Sequence, residues 1–374
     1  MTSAIIAGYA RSPFTLARKG GLARIRPDDL AAGVVRGLID RTGVAASDIE
    51  DIILGCAFPE GEQGYNLARI LVLLADLPIS VAGTTINRFC GSSMQSIHFA
   101  AGQIAIGAGE VFICAGVESM SRVPMWGYNP MPNAALNARK PDTYMGMGDT
   151  AENVARRWNI SRAAQEDFAV RSHTLAHAAQ SEGRLDAEIV PVAGVAQDGC
   201  IRPATTRETL AGLKLAFAQD GTVTAGTSSP LTDGASAVLV CSDAYADRHG
   251  LPKIARITSV AVAGCAPDVM GIGPVAASRK ALARAGLSIG DIDVVELNEA
   301  FSSQSLACAA DLGIDLEKIN LDGGALALGH PLGATGARIT GKAASLLARV
   351  GGRYALATQC IGGGQGIATI VERI

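Results

Sequence analysis

An internal repeat constrains the fold of this chain more than any other feature of its 374 residues. Matching residues recur 243 positions later in the sequence, at places that follow predicted helices and precede predicted strands. The matching pairs are Gly43 and Gly286, Asp48 and Asp291, Ile49 and Ile292, and Gly109 and Gly352. A constant spacing across such separated positions predicts a duplicated structural unit rather than chance similarity.

Strand-like and helix-like segments alternate along the chain. Residues 5–8, 49–54 and 110–116 are apolar and strand-like, whereas residues 28–41 begin with two aspartates and end before a glycine, as helices do. This alternation predicts an α/β fold with a mainly parallel, helix-covered sheet in each copy. We expect three parts: a first copy formed by residues 1–119 with 235–250, an inserted loop domain of residues 120–234, and a second copy of residues 251–374.

Cys90 lies between a β-prone stretch and an apolar helix that begins near Ser92. Unpaired backbone N–H groups at a helix N-terminus favour negative charge, so this position predicts a thiol with a lowered pKa that can act as a nucleophile. Free cysteine is also a common packing residue in crowded turns. This stretch alone leaves both interpretations open.

Composition narrows the classes of function. A formal net charge of −3 gives no reason to expect nucleic acid or an anionic membrane as a partner. The eight cysteines include no C-x-x-C pair and no metal-ligand spacing, so we expect no metal site. The sequence shows no signal-peptide pattern, so we expect reduced thiols and a cytoplasmic location. The uncharged run 89–109 is long enough to cross a bilayer, but its polar residues favour a buried helix instead.

His330 is the candidate base in the second copy. The repeat spacing places it opposite the approach to Cys90, and a pseudo-two-fold relation would bring the two turns together. A histidine there can take the thiol proton. Its neighbours Gly329 and Pro331 indicate an unusual local backbone, although a structural histidine fits the same pattern.

Two further segments of the second copy carry candidate site residues. Cys360 ends a strand-like run and precedes the glycine-rich residues 362–366, whose open N–H groups suit an oxyanion hole. A phosphate-binding loop is the rival interpretation, but no Walker lysine and no dinucleotide fingerprint is present. Asn298 follows a predicted strand, the usual place for site residues in α/β sheets, where it would donate to an oxygen or cap a helix.

These segments together resemble the thiolase family. Four signature blocks occur in family order and spacing, and further similar segments begin at Glu118, Met147 and Asp233, so that the resemblance covers nearly the whole chain. The four blocks read Asn87-Arg-Phe-Cys-Gly-Ser-Ser-Met-Gln, Asn298-Glu-Ala-Phe, Gly329-His-Pro-Leu-Gly-Ala-Thr-Gly and Cys360-Ile-Gly-Gly-Gly-Gln-Gly. The resemblance implies a thiolase fold, in which two duplicated α/β halves stack as αβαβα layers with an inserted loop domain.

The same resemblance implies a role for each candidate residue. Cys90 would attack the 3-keto carbon of a 3-ketoacyl-CoA, His330 would activate Cys90, and Cys360 would move a proton to and from the acetyl-CoA carbon. One oxyanion site would use His330 with a water held by Asn298, and the other the backbone N–H groups of Cys90 and Gly362. Coenzyme A would be a co-substrate, with no permanently bound cofactor.

Eight further residues are implied as coenzyme A contacts. Six lie in the inserted segment and two would line the pantetheine tunnel; they are Arg202, Thr209, Phe217, Ser228, Ser229 and Leu231, followed by Met270 and Phe301. Members of the family are dimers or tetramers, so we expect a homodimer or homotetramer, with a β-oxidation partner subunit as a further possibility.

The expected activity is that of an acetyl-CoA C-acyltransferase, a degradative 3-ketoacyl-CoA thiolase. Between Trp126 and Gly148 the chain lacks the histidine–methionine covering segment of acetoacetyl-specific members, which leaves room for longer acyl chains. The alternative is an acetyl-CoA C-acetyltransferase that works in the condensing direction. More remote alternatives are a ketoacyl synthase-like enzyme, which would have a second histidine in place of Cys360, and an inactive scaffold.

Overall fold

The computed structural model describes residues 2–374 and confirms the α/β class. Its strands are β1 (Ala4–Arg11), β2 (Thr15–Leu16), β3 (Asp51–Gly55), β4 (Ala82–Ile86), β5 (Val111–Ser119), β6 (Thr232–Ser242), β7 (Ala255–Gly264), β8 (Val294–Leu297), β9 (Tyr354–Ile361) and β10 (Gln365–Glu372). Its α-helices are α1 (Pro27–Thr42), α2 (Leu67–Leu74), α3 (Ser92–Ile106), α4 (Ala134–Arg139), α5 (Met147–Arg157), α6 (Arg162–Ser181), α7 (Arg207–Ala211), α8 (Asp243–His249), α9 (Gly273–Ala285), α10 (Ser302–Leu312), α11 (Ala325–Leu328) and α12 (Leu332–Val350).

The strands of the two copies are hydrogen-bonded into one continuous sheet. Its order is β4-β3-β5-β6-β1-β7-β10-β9-β8, with β2 beside β6. The joint between the copies is short, because β1 pairs with β7 only through Ile5 with Arg256 and Ile6 with Ala255. The first five strands therefore belong to one copy and the last four to the other.

The prediction of a mainly parallel sheet was wrong. Parallel pairing is confined to β3 with β4 and β5, and to β8 with β9, whereas the other strand pairs run antiparallel. Helices cover both faces, so antiparallel strands such as β6 are buried along their whole length and look like parallel strands in the sequence. Between β9 and β10 the glycines Gly363 and Gly364 form a tight turn with positive φ, which only an antiparallel pair can use.

The molecule has the five layers that the family resemblance implies. Helices α1 and α2 cover the outer face of the first copy, and α9 and α10 cover the outer face of the second. Helices α3 and α12 pack together between the two parts of the sheet, within a separate apolar core. The uncharged run 89–109 forms α3 in this central layer, as the sequence predicts.

The first turns of α3 and α12 approach each other very closely. Ala337 donates its backbone N–H to Ser93 Oγ at 2.8 Å. A Cβ atom at Gly336 would collide with the backbone of Met94, and one at Gly116 would collide with the carbonyl oxygen of Gly333. Glycine is needed at these positions because the backbones leave no space for a side chain.

The duplication is visible in details of the two copies. Gly43 ends α1 and Gly286 ends α9, both with φ of 67° in the left-handed region. Each glycine is followed by a short 3₁₀ turn, Ala46–Asp48 in one copy and Ile289–Asp291 in the other. One element differs, because the repeat spacing aligns strand β4 with the short helix α11.

The segment between β5 and β6 is tied to the rest of the chain by buried charges. Arg11 of β1 donates to Glu188 Oε1 at 2.8 Å and, through two nitrogens, to the carboxylate of Asp198 at 2.7 and 2.8 Å. Glu188 also accepts from Lys342 of α12 at 2.9 Å. Glu188 therefore joins this segment to both copies of the repeat.

No helix within residues 2–374 is long and apolar enough to cross a membrane.

The Arg11–Asp198 pair gives a stability prediction. The Arg11 guanidinium is fully buried, and replacing Asp198 by alanine removes one of its two carboxylate partners. Breaking a buried ion pair in this way typically costs about 3–5 kcal/mol. We therefore expect Asp198→Ala to lower the free energy of unfolding by about that amount in urea denaturation. The matched control is Asp167→Ala, which breaks the exposed pair with Arg207 and should change stability little. Equal effects of the two substitutions would contradict the proposed anchor.

Candidate active site

Cys90 lies on a strained turn at the start of α3. Residues Phe89–Gly91 form a single 3₁₀ turn between β4 and the helix, and Phe89 has a φ of 44°, which is uncommon for a non-glycine residue. Asn87 Oδ1 accepts from the Phe89 N–H at 2.7 Å, and Ser92 Oγ accepts from the Arg88 N–H at 2.9 Å. These side-chain contacts hold the turn in its unusual conformation.

The turn is also held by the second copy of the repeat. Gln359 Nε2 of β9 donates to the Cys90 carbonyl oxygen, and Arg88 Nη1 donates to Gln365 Oε1 of β10 at 2.7 Å. A Cβ atom on Gly91 would lie only 2.6 Å from Ile361 Cδ1, so this glycine permits the close contact. The Cys90 turn and the glycine-rich turn between β9 and β10 therefore meet across the boundary between the copies.

Backbone N–H groups surround the Cys90 sulfur. The N–H groups of Cys90 and Gly362 both act as donors to the sulfur and lower the pKa of the thiol. Cys360 is a buried neighbour, and after burial itself the charge of Cys90 is the largest cause that raises the pKa of the Cys360 thiol. The predicted nucleophile, its partner cysteine and the glycine-rich turn thus lie in one place.

The prediction of a lowered pKa for Cys90 was wrong. Burial raises the pKa of this thiol to about 11, and the negative charge of Glu118 adds to the shift. The two N–H donors oppose this effect but do not outweigh it. A helix N-terminus lowers the pKa of a thiol only when its favourable interaction with the thiolate exceeds the free-energy cost of removing water from the sulfur. At Cys90 the cost of removing water is larger.

His330 is buried and hydrogen-bonded at both ring nitrogens. Its Nδ1 lies 2.6 Å from Thr335 Oγ1, and its Nε2 lies 3.3 Å from Asn298 Nδ2. Its backbone N–H donates to Thr232 Oγ1 at 3.1 Å. Burial, with a smaller effect of Arg338, lowers the pKa of His330 to about 3, so the ring is neutral at pH 7. In the sequence, Thr335 is apparent only as part of a signature block, and Thr232 is not marked by any motif.

Asn298 lies at the end of β8 with no exposed surface. Its backbone N–H donates to Thr358 of β9 at 3.0 Å, which fixes it beside the strand that carries Cys360. Its side-chain Oδ1 is buried without a protein partner. A buried amide oxygen of this kind is usually satisfied by an ordered water, which fits the water-holding role that the family resemblance implies.

An apolar cavity of about 570 Å³ opens beside Cys90. It is closed on one side by the Cys90 turn and the glycine-rich turn, and on the other by residues of the 125–147 segment. The lining residues are Phe58, Phe89, Cys90, Met125, Trp126, Pro130, Met131, Pro132, Thr143, Tyr144, Met147, Leu332, Gly362 and Gly363. Its aliphatic, aromatic and sulfur-bearing walls suit a hydrocarbon chain.

The structure separates the eight predicted coenzyme A residues into two groups. Met270 and Phe301 are buried in one apolar cluster with Cys360, and Phe217 packs edge-on against Phe301 with ring centroids 6.0 Å apart. Ser228 and Ser229 lie beside them, since the Ser229 N–H donates to the Ala300 carbonyl oxygen at 3.0 Å and Ser228 forms a bridge with Phe301. The more peripheral residues are Arg202, Thr209 and Leu231, all exposed.

Arg202 and Thr209 are positioned by local contacts. The Arg202 N–H donates to His173 Nδ1 at 3.1 Å, which fixes the backbone and leaves the guanidinium exposed. Thr209 is engaged in a capping box at the start of α7, where its Oγ1 accepts from the Thr206 N–H at 3.0 Å. The Thr209 side chain thus already has a structural partner.

Glu118 organises the back of the site. Buried at the end of β5, it accepts from the N–H groups of Ala57 at 2.9 Å, Phe58 at 3.2 Å and Gly333 at 2.9 Å, and from Gln63 Nε2 at 2.8 Å. Its carboxylate therefore connects the loop that carries Phe58 to the first turn of α12. In the sequence it was apparent only as part of a family block.

Among residues 2–374, no group of three or more histidine, cysteine, aspartate or glutamate side chains is arranged to hold a metal ion.

A duplicated α/β fold with Cys90 in the wall of an apolar cavity, Cys360 next to it and a buried pair of His330 and Asn298 is the arrangement of an acyltransferase. Residues 4–244 match the thiolase N-terminal domain, and residues 251–373 match the thiolase C-terminal domain. The chain belongs to the thiolase family. The resemblance seen in the sequence is thereby confirmed.

Several curated relatives are similar to the chain over its whole length. It is 46% identical over 389 residues to a protein of Bacillus subtilis (strain 168) named 3-ketoacyl-CoA thiolase, with 100% of both chains covered. It is 48% identical over 388 residues to a protein of that name from Vibrio vulnificus (strain CMCP6), and 48% identical over 390 residues to one from Photobacterium profundum. Those two alignments also cover 100% of both chains.

The raised pKa of Cys90 gives a reactivity prediction. Only the thiolate reacts with iodoacetamide, so below pH 11 the alkylation rate of Cys90 should rise about tenfold per pH unit from pH 7 upwards. The rate is measured in the ligand-free protein by mass spectrometry of the Cys90 peptide, with Cys90→Ser as the unlabelled control. A rate that levels off below pH 8 would show a thiolate already formed at neutral pH and would contradict this account.

Proposed function

We propose that this protein is a 3-ketoacyl-CoA thiolase, an acetyl-CoA C-acyltransferase that cleaves 3-ketoacyl-CoA with coenzyme A to acetyl-CoA and a shortened acyl-CoA. The observation that supports this most is the position of the Cys90 sulfur, which accepts from the Gly362 N–H and lines an apolar cavity. The printed names of the relatives agree with the proposal.

The proposed reaction begins with proton transfer from the Cys90 thiol to Nε2 of His330 as the sulfur attacks the 3-keto carbon. The bond between the 2- and 3-carbons then breaks, the acyl group stays on Cys90, and the acetyl-CoA enolate takes a proton from Cys360. Coenzyme A next gives its thiol proton to the Cys360 thiolate and attacks the acyl-cysteine through its sulfur, and the departing Cys90 sulfur takes back the proton from Nε2 of His330, so that all three groups return to their starting state. His330 and Cys360 are more than nine-tenths buried, and Cys90 lies in the wall of the cavity. Limited contact with water at these groups favours proton transfer between them and the substrate.

Two sets of donors are proposed for the charges that develop on oxygen. The N–H groups of Cys90 and Gly362 would receive one oxyanion, and His330 with a water on Asn298 the other. Donors fixed in advance in a water-poor site stabilise such charges more than mobile water does. The orphaned Oδ1 of Asn298 supports the water position in the second set.

We further propose that the inserted segment 120–234 binds coenzyme A. The contacts would be Arg202, Thr209, Phe217, Ser228, Ser229 and Leu231, with Met270 and Phe301 along the pantetheine. The packing of Phe217, Met270 and Phe301 near Cys360 supports the inner part of this path. The exposed guanidinium of Arg202 suits a phosphate or an adenine ring at the outer end.

Location and assembly complete the proposal. We propose a cytoplasmic homodimer or homotetramer that acts in fatty acid β-oxidation, where it would meet a partner subunit of that pathway. The family membership supports the assembly and the pathway.

The role of Cys360 can be tested by separating carbon–carbon cleavage from acyl transfer. Cys360→Ser should lower thiolysis of a 3-ketoacyl-CoA by about 100-fold or more, the typical contribution of a general acid. Exchange of the acetyl group between acetyl-CoA and labelled coenzyme A breaks no carbon–carbon bond, so the rate of this exchange should fall much less in Cys360→Ser. Cys241→Ser is the control, because Cys241 is equally buried but lies on β6 away from the cavity. Equal losses in both assays would overturn the role assigned to Cys360.

The apolar cavity predicts a preference for longer acyl chains. Each methylene that enters it should contribute about 0.8 kcal/mol, or roughly fourfold in kcat/KM, until the cavity is full. The measurement is thiolysis across a panel of 3-ketoacyl-CoA substrates that starts at acetoacetyl-CoA. Thr143→Trp, which fills the cavity, should remove the gain for longer chains, whereas Thr143→Val should keep it. Activity on acetoacetyl-CoA alone would instead indicate the acetyltransferase.

A further inference from the structure

The ring of His330 is confined by contacts with two elements. Thr335 lies in the first turn of α12, and its side chain is buried against Nδ1 of the ring. Asn298, at the end of β8, faces Nε2. The ring is neutral at pH 7, so it carries a single proton, and which nitrogen carries it decides whether Nε2 can act as a base.

The contacts of the Thr335 hydroxyl distinguish the two tautomers. Thr335 Oγ1 donates to the Pro331 carbonyl oxygen at 3.0 Å, a contact that uses its only proton. The same oxygen is 2.6 Å from His330 Nδ1, so this second contact is a hydrogen bond only if Nδ1 carries a proton. Nε2 then has a free lone pair, which fits the Asn298 Nδ2 donor that faces it at 3.3 Å.

The opposite tautomer would lose these contacts. With the proton on Nε2, that N–H would point at the N–H₂ group of Asn298, so that two donors would face each other. The Thr335 hydroxyl would have to turn to Nδ1, which would leave its oxygen against the Pro331 carbonyl oxygen with no proton between them. Unpaired polar contacts in a buried site are costly, so the first tautomer is strongly favoured.

We propose that Thr335 is a positioning residue that holds His330 in the tautomer protonated on Nδ1, so that the lone pair of Nε2 is available for the Cys90 proton. At rest the Nε2 lone pair accepts from Asn298 Nδ2, and this contact is given up when Nε2 takes the Cys90 proton. Nδ1–H keeps its bond to Thr335 and the Thr335 hydroxyl keeps its bond to Pro331, so that no other proton needs to move. The kinetic part of this proposal rests on the proposed acyl transfer, whereas the tautomer itself does not.

The chain provides a matched control on the same helix. Thr340 is also fully buried, and its Oγ1 donates to the Gly336 carbonyl oxygen at 2.8 Å, four residues earlier, as Thr335 does to Pro331. Thr340 has no histidine partner. Replacing either threonine by valine removes one buried hydroxyl at nearly constant shape, but only the change at position 335 should affect His330.

The kinetic test compares Thr335→Val, Thr335→Ser and Thr340→Val in the full chain. We expect Thr335→Val to lower kcat for thiolysis by about tenfold or more with KM little changed, because a correctly protonated base contributes about 10²–10⁴-fold. Thr335→Ser, which keeps the hydroxyl, should restore most of kcat, and Thr340→Val should leave kcat within about twofold of the original. Equal losses at positions 335 and 340 would show a merely structural role.

The direct test is nitrogen NMR of protein labelled with ¹⁵N-histidine. The sequence has only five histidines, and His330→Gln identifies the signals of His330. We expect a single Nδ1–H tautomer in the original protein, in Thr335→Ser and in Thr340→Val, and a mixture of tautomers in Thr335→Val. Detection of the Nε2–H tautomer in the original protein would overturn the proposal.

The kinetic and the NMR measurements test the proposal independently of each other. If the protein does not catalyse thiolysis, the tautomer can still be read from the NMR spectrum, so failure of the proposed function is recognised separately. If Thr335→Val does not fold, judged by its thermal unfolding, Thr335→Ala removes the same hydroxyl with less bulk and is used in both measurements.

Discussion

The site depends on the close contact between the first turns of α3 and α12. Gly336 of α12 leaves no space for a side chain against Met94 of α3, and the Ser93 hydroxyl accepts the Ala337 N–H across the contact. Gly333 of α12 lies just as close to Gly116 of β5. Cys90 comes just before one helix and His330 just before the other, so the packing of these helices also positions the proposed nucleophile relative to its proposed base. Neither copy of the repeat contains both residues. The proposed active site is therefore a product of the duplication itself.

Burial of this contact decides how the chemistry can start. The Cys90 thiol, with a pKa of about 11, and the His330 imidazole, with a pKa of about 3, are both neutral at pH 7. In the proposed reaction, proton transfer would therefore accompany the attack of the sulfur. In the proposed reaction, the backbone N–H groups of Cys90 and Gly362 would stabilise charge on the substrate as it develops.

The sequence predicts which residues form the site, and the structure describes the environment of each of them. Cys90, His330, Cys360 and Gly362 stand out because glycine-rich turns and strand ends leave a local signature. The raised pKa of Cys90 has no such signature, since it depends on the elements that exclude water from the sulfur. The direction of the strands could not be predicted from the sequence either, because a strand covered on both faces is apolar whether its neighbour is parallel or antiparallel. The link between Thr335 and His330 involves a hydroxyl whose acceptor is visible only in three dimensions.

The position of β1 in the sheet affects how the chain is made. This strand lies at the middle of the continuous sheet, yet its partners β6 and β7 begin at Thr232 and Ala255. At elongation rates of about 5–20 residues per second, the first strand waits on the order of ten to fifty seconds before a partner leaves the ribosome. During that time its eight residues, all buried in the final fold, present an apolar segment with free backbone groups. The β1 segment thus stays without a strand partner until β6 has been made, and the cavity beside Cys90 can form only after Gly362 and Gly363, which line it, have been synthesised.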